Sequence, residues 1–337
     1  MDKAILALLL LSGQASAHTW LESLRLIGAN GAFTGAPGFP RGFVSRQDPS
    51  FSDDALTYRI TDKDAAIPLC HSSQQITNGY NNPQFPRLKA SAGSFVALKY
   101  QENGHVSAPQ VPEGRPFRSG NVYVYASTKF RDEEFSGVHG NWTADGSLKA
   151  GRLIGTHFYD DNSCYQNQGS GGTPINVERK ATAGGLESVD CQTDIQLPED
   201  IDSDKLMVYW VWDWTLWPNT DKEAYEAYTA CAEIHISKGD GSPSEISVDD
   251  SLPVNQRAVQ SQLDTRFEVF ELGTGTAAPP SATVSKIAPS TTASHTSTFA
   301  TSTVSKADAC SGLTTVYVPS ATVTVTVTAV GPRRTPE

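Results

Sequence analysis

The sequence predicts an all-β protein, an antiparallel β-sandwich with long loops that is followed by a disordered tail rich in serine and threonine. Three observations indicate this fold class. The apolar segments are short and rich in β-branched and aromatic residues. The stretches between them are rich in glycine, proline, asparagine and aspartate, and no long amphipathic helical pattern interrupts them. Many short strands joined by long irregular loops are typical of a β-sandwich.

Four segments are the clearest strand candidates of this sandwich. Each is short, apolar and rich in valine, isoleucine, tyrosine, phenylalanine or tryptophan; they are residues 94–100, 121–126, 205–212 and 232–236. They lie within a predicted domain of residues 18–272. A domain of about 255 residues is large for one sandwich, so we expect the loops to hold much of the chain.

The first 17 residues predict a secretory signal peptide. A basic residue precedes the apolar run from Ala4 to Leu11, and the small-residue triplet Ala15-Ser16-Ala17 marks a cleavage site. This run is far shorter than the roughly 20 residues of a membrane span. Asn141-Trp142-Thr143 is a sequon for N-glycosylation, which fits a secreted chain. We therefore expect an extracellular protein whose mature form begins at His18, and association with the cell wall stays open.

The C-terminal part, residues 273–337, has a different composition from the rest. It is rich in serine, threonine, alanine, valine and proline, which predicts a disordered, O-glycosylated tail. It ends without the hydrophobic segment of a lipid-anchor signal. The whole chain has a net charge of −11 although this tail carries an excess of basic residues. Such an acidic domain argues against nucleic acid or an anionic membrane as the partner.

Five cysteines in a secreted chain predict two disulfides and one cysteine left over. Cys70, Cys164, Cys191 and Cys231 lie in the predicted domain, whereas Cys310 lies in the tail. Cys310 is therefore the predicted odd cysteine.

A histidine at the mature N-terminus points to metal chemistry. His18 would offer two nitrogen ligands, its α-amine and its imidazole, and the amine, with a pKa of about 8, loses its proton readily on metal binding. A second imidazole would complete three nitrogen ligands. Such a set favours Cu(II) over the other first-row divalent ions, so the sequence predicts a copper site.

The second imidazole has one favoured candidate. His105 lies in a glycine-containing loop just after the strand that ends near Tyr100, a good position for a site residue. His71 directly follows Cys70, so a disulfide would fix its backbone, and it stays open as an alternative. The other histidines fit ordinary strand, loop or tail positions; they are His139, His157, His235 and His295.

Three separated pieces of the chain resemble one known family. They are His18, the strand 95–100 followed by Gly104-His105-Val106, and the segment from Glu226 to Ile234, Glu-Ala-Tyr-Thr-Ala-Cys-Ala-Glu-Ile. The last is similar to a (Gln/Glu)-x-Tyr-x-x-Cys-Ala-(Asp/Gln)-(Ile/Val) strand. The chain thus resembles the fungal lytic polysaccharide monooxygenases, copper enzymes with a histidine brace, and is nearest their chitin-active branch or an uncharacterised sister family.

The resemblance implies roles for individual residues. His18 and His105 would ligate copper, Tyr228 would be the axial residue, and Glu226 would lie beside it. Positions 226 and 228 are two apart, so their side chains share one side of a strand. A phenol and a neighbouring carboxyl can tune a metal. The alternative is a core tyrosine next to an exposed glutamate.

The resemblance also implies a fold and a disulfide pattern. The sandwich would be of the immunoglobulin or fibronectin-III type. Cys231 would pair with Cys70, which leaves Cys164 to pair with Cys191.

The function implied is oxidative cleavage of a cell-wall polysaccharide such as chitin or cellulose. We expect a monomer that binds this polysaccharide and takes electrons from an external donor. Two alternatives stay open: a non-catalytic copper-binding surface protein, and a structural or carbohydrate-binding wall protein.

Tryptophans are concentrated in residues 210–217. Trp210, Trp212 and Trp214 share one face by the period of two, which predicts a packed sandwich core. The alternative is that Trp214 or Trp217 stacks on sugar rings. We expect Trp210 and Trp212 to be core residues, and the other two stay open.

Overall fold

The computed structural model describes residues 18–79, 82–107, 116–167, 172–215, 225–238 and 243–266, together with the backbone of a few short strands beyond them. The predicted signal peptide, Trp217, His295 and Cys310 lie outside these residues. The chain divides into two compact units, residues 1–289 and 290–337. Within the described part of the chain, none of the helices combines the length and the apolar character of a membrane span.

The first unit is built from short strands with few helical turns. Its strands are β1 (Leu21–Ile27), β2 (Phe33–Gly38), β3 (Arg59–Ile60), β4 (Leu88–Ala90), β5 (Phe95–Tyr100), β6 (Asn121–Ser127), β7 (Arg152–Phe158), β8 (Cys191–Gln196), β9 (Lys205–Asp213), β10 (Ala227–Ile236), β11 (Glu268–Val269) and β12 (Ser285–Lys286). Its α-helices are α1 (Phe135–Val138), α2 (Pro174–Thr182) and α3 (Gln260–Asp264). Short 3-10 turns span Asp53–Ala55, Ser72–Gln74, Ile76–Asn78, Phe117–Ser119 and Val254–Gln256. The second unit contains the hairpin of β13 (Val316–Val318) and β14 (Ala321–Val323).

Two main sheets form the first unit. One has the strand order β2-β1-β5-β8, and the other has the order β3-β10-β9-β6-β7. Their pairings are antiparallel, with the exception of β4, which runs parallel to the end of β10. The four predicted strand segments correspond to β5, β6, β9 and β10, and β10 begins earlier than its predicted segment, at Ala227. The all-β, largely antiparallel architecture is confirmed.

One hydrophobic cluster joins the facing sides of the two sheets. Leu24 and Leu98 come from the first sheet, while Val124, Trp210 and Trp212 come from the second. Both tryptophans are fully buried, which confirms the predicted core role. Because each such side chain removes a large apolar area from water, this layer is the main source of stability for the sandwich.

The loops cover the outer faces of both sheets. Leu69 and Phe135 pack against Tyr209 and Val211 of β9 on the outside of the second sheet. A second outer cluster, built from Ile27, Phe95, Ala97 and Ala258, covers the first sheet. As a result β5 is buried along its whole length and lacks the apolar-polar alternation of a half-exposed strand. The expectation that loops hold much of the chain is confirmed.

Two disulfides connect the loops to the strands. Cys70 is bonded to Cys231 of β10, and Cys164 is bonded to Cys191 of β8. Both pairings implied by the resemblance are confirmed. The first bridge ties a surface loop to the strand that carries Tyr228.

Removal of the Cys70–Cys231 bridge is expected to destabilise the domain. The bridge closes a long loop, with a sequence separation of 161 residues. The double variant Cys70→Ala/Cys231→Ala should lose about 2–5 kcal/mol of unfolding free energy, because its unfolded chain is less constrained. Urea unfolding followed by tryptophan fluorescence measures this difference. Cys310→Ser is the matched control and should leave the midpoint unchanged; equal midpoints for all three proteins would contradict the prediction.

Candidate metal centre

His18 lies immediately before β1, against the loop that follows β5. Its backbone carbonyl accepts a hydrogen bond from the side-chain amide of Asn103. The next residue, Thr19, donates its hydroxyl to the carbonyl of Gln101 at 2.9 Å. These two bonds place the segment that begins with His18 beside the loop that carries His105.

His105 is buried, with 3% of its surface exposed. Its ring meets Trp212 and Trp214 edge-on, with centroid distances of 4.6 and 4.7 Å. Its backbone amide donates to the Glu102 carbonyl at 2.9 Å, and its own carbonyl accepts from the Ser119 hydroxyl at 2.7 Å. Packing and backbone bonds together fix the orientation of this imidazole.

The loop of His105 turns around a buried carboxylate. Glu102 accepts hydrogen bonds from the backbone amides of Val106 and Ser107, at 2.6 and 3.0 Å. Asn103 and Gly104 both have positive φ, 41° and 84°, and a glycine at the second position makes this turn possible without a side-chain clash. Glu102 was not among the candidates from the sequence, because nothing local distinguishes a loop-organising glutamate from an exposed one.

Tyr159 connects the His18 segment and the His105 loop through its hydroxyl group. Its hydroxyl lies 2.9 Å from the Gln101 carbonyl and 3.1 Å from the Thr19 hydroxyl. Its ring stacks on Trp212 with a centroid distance of 3.9 Å and lies 6.4 Å from the ring of His105. The aromatic layer of the core therefore continues directly under the candidate site.

Tyr228 and Glu226 form a hydrogen-bonded pair next to His105. The Tyr228 ring stacks on Trp212 and its centroid lies 6.2 Å from that of His105. Its hydroxyl donates to Glu226 Oε1 at 2.5 Å. Burial, reinforced by the Glu226 carboxylate, raises the pKa of the Tyr228 phenol, so this group stays protonated and remains the donor.

Arg59 of β3 holds the other oxygen of this carboxylate, with Nη2 2.7 Å from Glu226 Oε2. The Glu226 side chain is only 13% exposed, so the alternative of a core tyrosine beside an exposed glutamate is wrong for the glutamate. Arg59 was missed at the level of sequence, since its partner lies 167 residues away. A chain Arg59, Glu226, Tyr228 therefore runs from the surface towards His105.

Asp53 is a further acidic group at this end of the sandwich. Its Oδ2 lies 3.8 Å from His18 Nδ1, and both side chains are partly exposed. Asp53 opens a 3-10 turn after Ser52. The sequence indicates only a local turn start here, because serine followed by acidic residues is typical of caps.

The other described histidines make local contacts. His71 Nδ1 lies 2.8 Å from the Ser73 hydroxyl, and burial lowers the pKa of this histidine. His139 Nδ1 lies 3.0 Å from the Tyr125 hydroxyl. His157, on the edge strand β7, has Nε2 2.9 Å from the Asp194 carbonyl, and burial lowers its pKa to about 4. His235 is half-buried on β10. His139, His157 and His235 hold the loop, edge and strand positions expected of them.

The aromatic side chains of the site face inwards. Trp214 is 2% exposed and packs on His105, so the alternative in which Trp214 stacks on sugar rings is wrong. Among the aromatic side chains of the described ranges, Phe117 alone is strongly exposed, at 46%.

A second group with metal-ligating residue types is structural. Asp160, Asp161 and Cys164 have their ligand atoms close together. Cys164 is in a disulfide, however, and Asp160 is paired with Arg179 at 2.8 Å. Asp161 accepts the backbone amide of Cys164 at 2.9 Å. These groups already have partners in the fold, so the cluster is explained without an ion.

The donor types at that centre fit copper. His18 and His105 carry imidazoles on adjoining segments, with the phenol of Tyr228 near one and the carboxylate of Asp53 near the other. Imidazole nitrogen with a few oxygen ligands suits Cu(II), and a mature α-amine would add a further nitrogen.

Comparisons with known proteins identify a family but no activity. A family model described as "Domain of unknown function (DUF7492)" matches residues 15–263. No curated protein matches the chain. Several solved structures share part of the architecture at low identity. A cellulose-active polysaccharide monooxygenase from M. thermophila has 16% identity and a TM-score of 0.30, over 72% of this chain and 96% of that one.

Two further structures come from Hypocrea jecorina. The glycoside hydrolase family 61 member Cel61B has 10% identity and a TM-score of 0.28, over 72% of this chain and 97% of that one. The extended catalytic domain of LPMO9A has 12% identity and a TM-score of 0.31, over 83% and 96%. Overlap of this extent determines no activity, so the function has to be argued from the residues of the site.

Proposed function

We propose that this chain, which belongs to the family described as "Domain of unknown function (DUF7492)", is a secreted copper protein that cleaves a cell-wall polysaccharide by oxidation. One observation carries the proposal. The buried His105, the adjoining His18 segment and the hydrogen-bonded Tyr228–Glu226 pair meet at one end of the sandwich.

The residues that would hold copper are mature His18, through its α-amine and imidazole, His105 through its imidazole, and Tyr228 through its phenol. When bound, copper would supply one-electron chemistry with an oxygen co-substrate, fed by an external electron donor. The edge-on contacts with Trp212 and Trp214 hold the His105 ring in one orientation and exclude water from behind it. Such rigid support is what a site needs for a defined geometry.

Glu226 and Arg59 are the residues beside the proposed copper site that we expect to take part in the reaction. Glu226 accepts a hydrogen bond from the Tyr228 hydroxyl, and Arg59 fixes the second carboxylate oxygen from the surface side. A carboxyl held in this way can hold the proton at Tyr228 Oη during turnover. Its contribution would therefore fall on the reaction more than on metal binding.

The proposed substrate is a neutral wall polysaccharide such as chitin or cellulose, and the proposed location is extracellular. Asn141, the predicted glycosylation site, is exposed in the structure, as a sugar-carrying asparagine must be. The serine- and threonine-rich tail would attach the domain to the cell wall. The protein would act as a monomer.

A second candidate function is copper binding without catalysis. One observation favours it: the aromatic residues around the described site are buried rather than presented to a sugar. Copper-loaded protein incubated with chitin, cellulose, xylan and pectin, a reductant and peroxide separates the two candidates. Oxidised oligosaccharides, measured by mass spectrometry, support the first; their absence on all four substrates supports the second.

The Glu226→Ala variant should separate reaction from binding. Its copper affinity is expected to stay within about tenfold of the wild type, roughly 1.4 kcal/mol, because Glu226 does not ligate the ion. The yield of oxidised products should nevertheless fall sharply. Glu187→Ala, which removes an exposed glutamate paired with Lys180, is the control and should keep full activity. An active wild type with an equally active Glu226 variant would show that this pair plays no part in the reaction.

A further inference from the structure

We propose that Asp53 is a ligand of the bound copper, completing with a carboxylate oxygen the set begun by the histidine nitrogens. This inference rests on the proposed copper site. It adds a residue that neither the sequence patterns nor the resemblance assigned.

The distance between the two side chains fits a shared ion. An N-terminal histidine that chelates through its α-amine reaches the same ion with Nδ1, because Nε2 lies on the far side of the ring. That nitrogen, His18 Nδ1, is the atom that lies 3.8 Å from Asp53 Oδ2. Bonds of about 2 Å to a nitrogen and to an oxygen hold the two ligand atoms about 2.8 to 4 Å apart, depending on the angle. The observed separation lies inside this range.

The accessibility of the two groups also fits an ion that arrives from solution. The His18 side chain is 26% exposed and that of Asp53 is 38% exposed. His105, in contrast, is buried. The His18–Asp53 pair is therefore the solvent-accessible part of the proposed site. Exposed charge pairs contribute little stability by themselves, so the stability of the fold does not require this contact.

The backbone around Asp53 is held in place. Ser52 caps the turn by accepting the backbone amide of Asp54. The backbone amide of Thr57 donates to the Asp53 carbonyl at 2.9 Å. The side chain of Leu56, in the same turn, is fully buried. The carboxylate therefore extends from a turn whose position is determined by packing.

The same loop is attached to the strand that follows His18. The ring of Phe51 lies 6.0 Å from that of Trp20. The guanidinium of Arg46 lies 4.3 Å above the Trp20 ring and bonds Glu22 of β1 at 2.7 Å. Residues just after His18 are thus connected to residues just before Asp53, which holds the two segments together.

The chemical consequence concerns the oxidation state of copper. An amine, two imidazoles and a carboxylate would supply four strong positions, which suits the tetragonal preference of Cu(II). An anionic oxygen ligand also offsets the charge of Cu(II) more than that of Cu(I). Loss of the Asp53 carboxylate is therefore expected to weaken Cu(II) binding and to raise the reduction potential.

The test compares Asp53→Asn with Asp54→Asn in mature protein that begins at His18. Both variants remove one negative charge from the same turn, and only Asp53 faces His18. Cu(II) affinity is measured by competition titration, ligand environment by EPR, and potential by spectroelectrochemistry. Asp53→Asn should lose at least about tenfold in affinity. Its copper hyperfine splitting should change and its potential should rise, while Asp54→Asn should match the wild type in all three.

Three outcomes would overturn the inference. Wild-type affinity and an unchanged EPR spectrum in Asp53→Asn would show that the carboxylate does not ligate. An equal loss in both variants, without a spectral change, would show a general charge effect. A wild type without nitrogen-coupled copper signals would remove the proposed copper site itself, which distinguishes failure of the function from failure of this ligand.

Discussion

One alanine added before His18 is expected to reduce the Cu(II) affinity of the mature protein by orders of magnitude. The addition converts the α-amine into a peptide nitrogen, which loses its proton only at a cost and no longer chelates as an amine. Each tenfold of lost affinity corresponds to about 1.4 kcal/mol. Competition titration of copper against a chelator of known affinity measures the difference.

The control for this experiment is a chain with one alanine added at its C-terminal end. It has the same composition as the N-terminal extension and should bind copper as the unmodified mature protein does. Equal affinity of the two extended proteins would remove the amine of His18 from the proposed ligands. That result would not contradict the described fold, because His18 lies before β1 and outside the sheets.

The substitution His105→Ala is expected to abolish the two-histidine copper spectrum, while His71→Ala should leave it nearly intact. His105 is packed at the end of the aromatic layer, next to Tyr228 and on the loop bonded to His18. His71 instead caps a 3-10 turn and bonds Ser73. EPR of copper-loaded variants, with nitrogen couplings resolved, measures the loss.

A companion variant guards against misfolding. Alanine at position 105 leaves a cavity between Trp212 and Trp214, whereas His105→Phe fills that space and still lacks a ligand nitrogen. Both variants should lose the spectrum, and thermal unfolding should show the phenylalanine variant to be the more stable one. Loss of the spectrum in His71→Ala, with retention in both position-105 variants, would show that the second imidazole comes from the other loop.

Local patterns in the sequence were sufficient for the strands of the sandwich. β5, β6 and β9 are dense runs of β-branched and aromatic residues, and their signal depends only on neighbours in the chain. The same holds for the core role of Trp210 and Trp212, since the period of two places them on one face. His105 was recognisable because the Asn103-Gly104 turn directly follows a strand.

Contacts between distant residues were beyond such patterns. Four cysteines in the predicted domain allow three disulfide pairings, and the sequence does not choose among them. The fold brings Cys70 to Cys231 across 161 positions. The burial of Trp214 depends on His105, which belongs to another part of the chain. β4 pairs in parallel with the end of β10, a pairing between distant parts of the chain that no local pattern indicates.

The sequence by itself determined the strand-forming segments, the histidine at the predicted mature start and the glutamate and tyrosine, two positions apart, at the start of β10. The tertiary structure alone decided which charged groups meet them: Arg59 with Glu226, and Asp53 with His18. The physical reason is range. Strand propensity and side-chain alternation act over a few residues, whereas hydrogen bonds and ion pairs join whichever groups the folded backbone brings within about 3 to 4 Å.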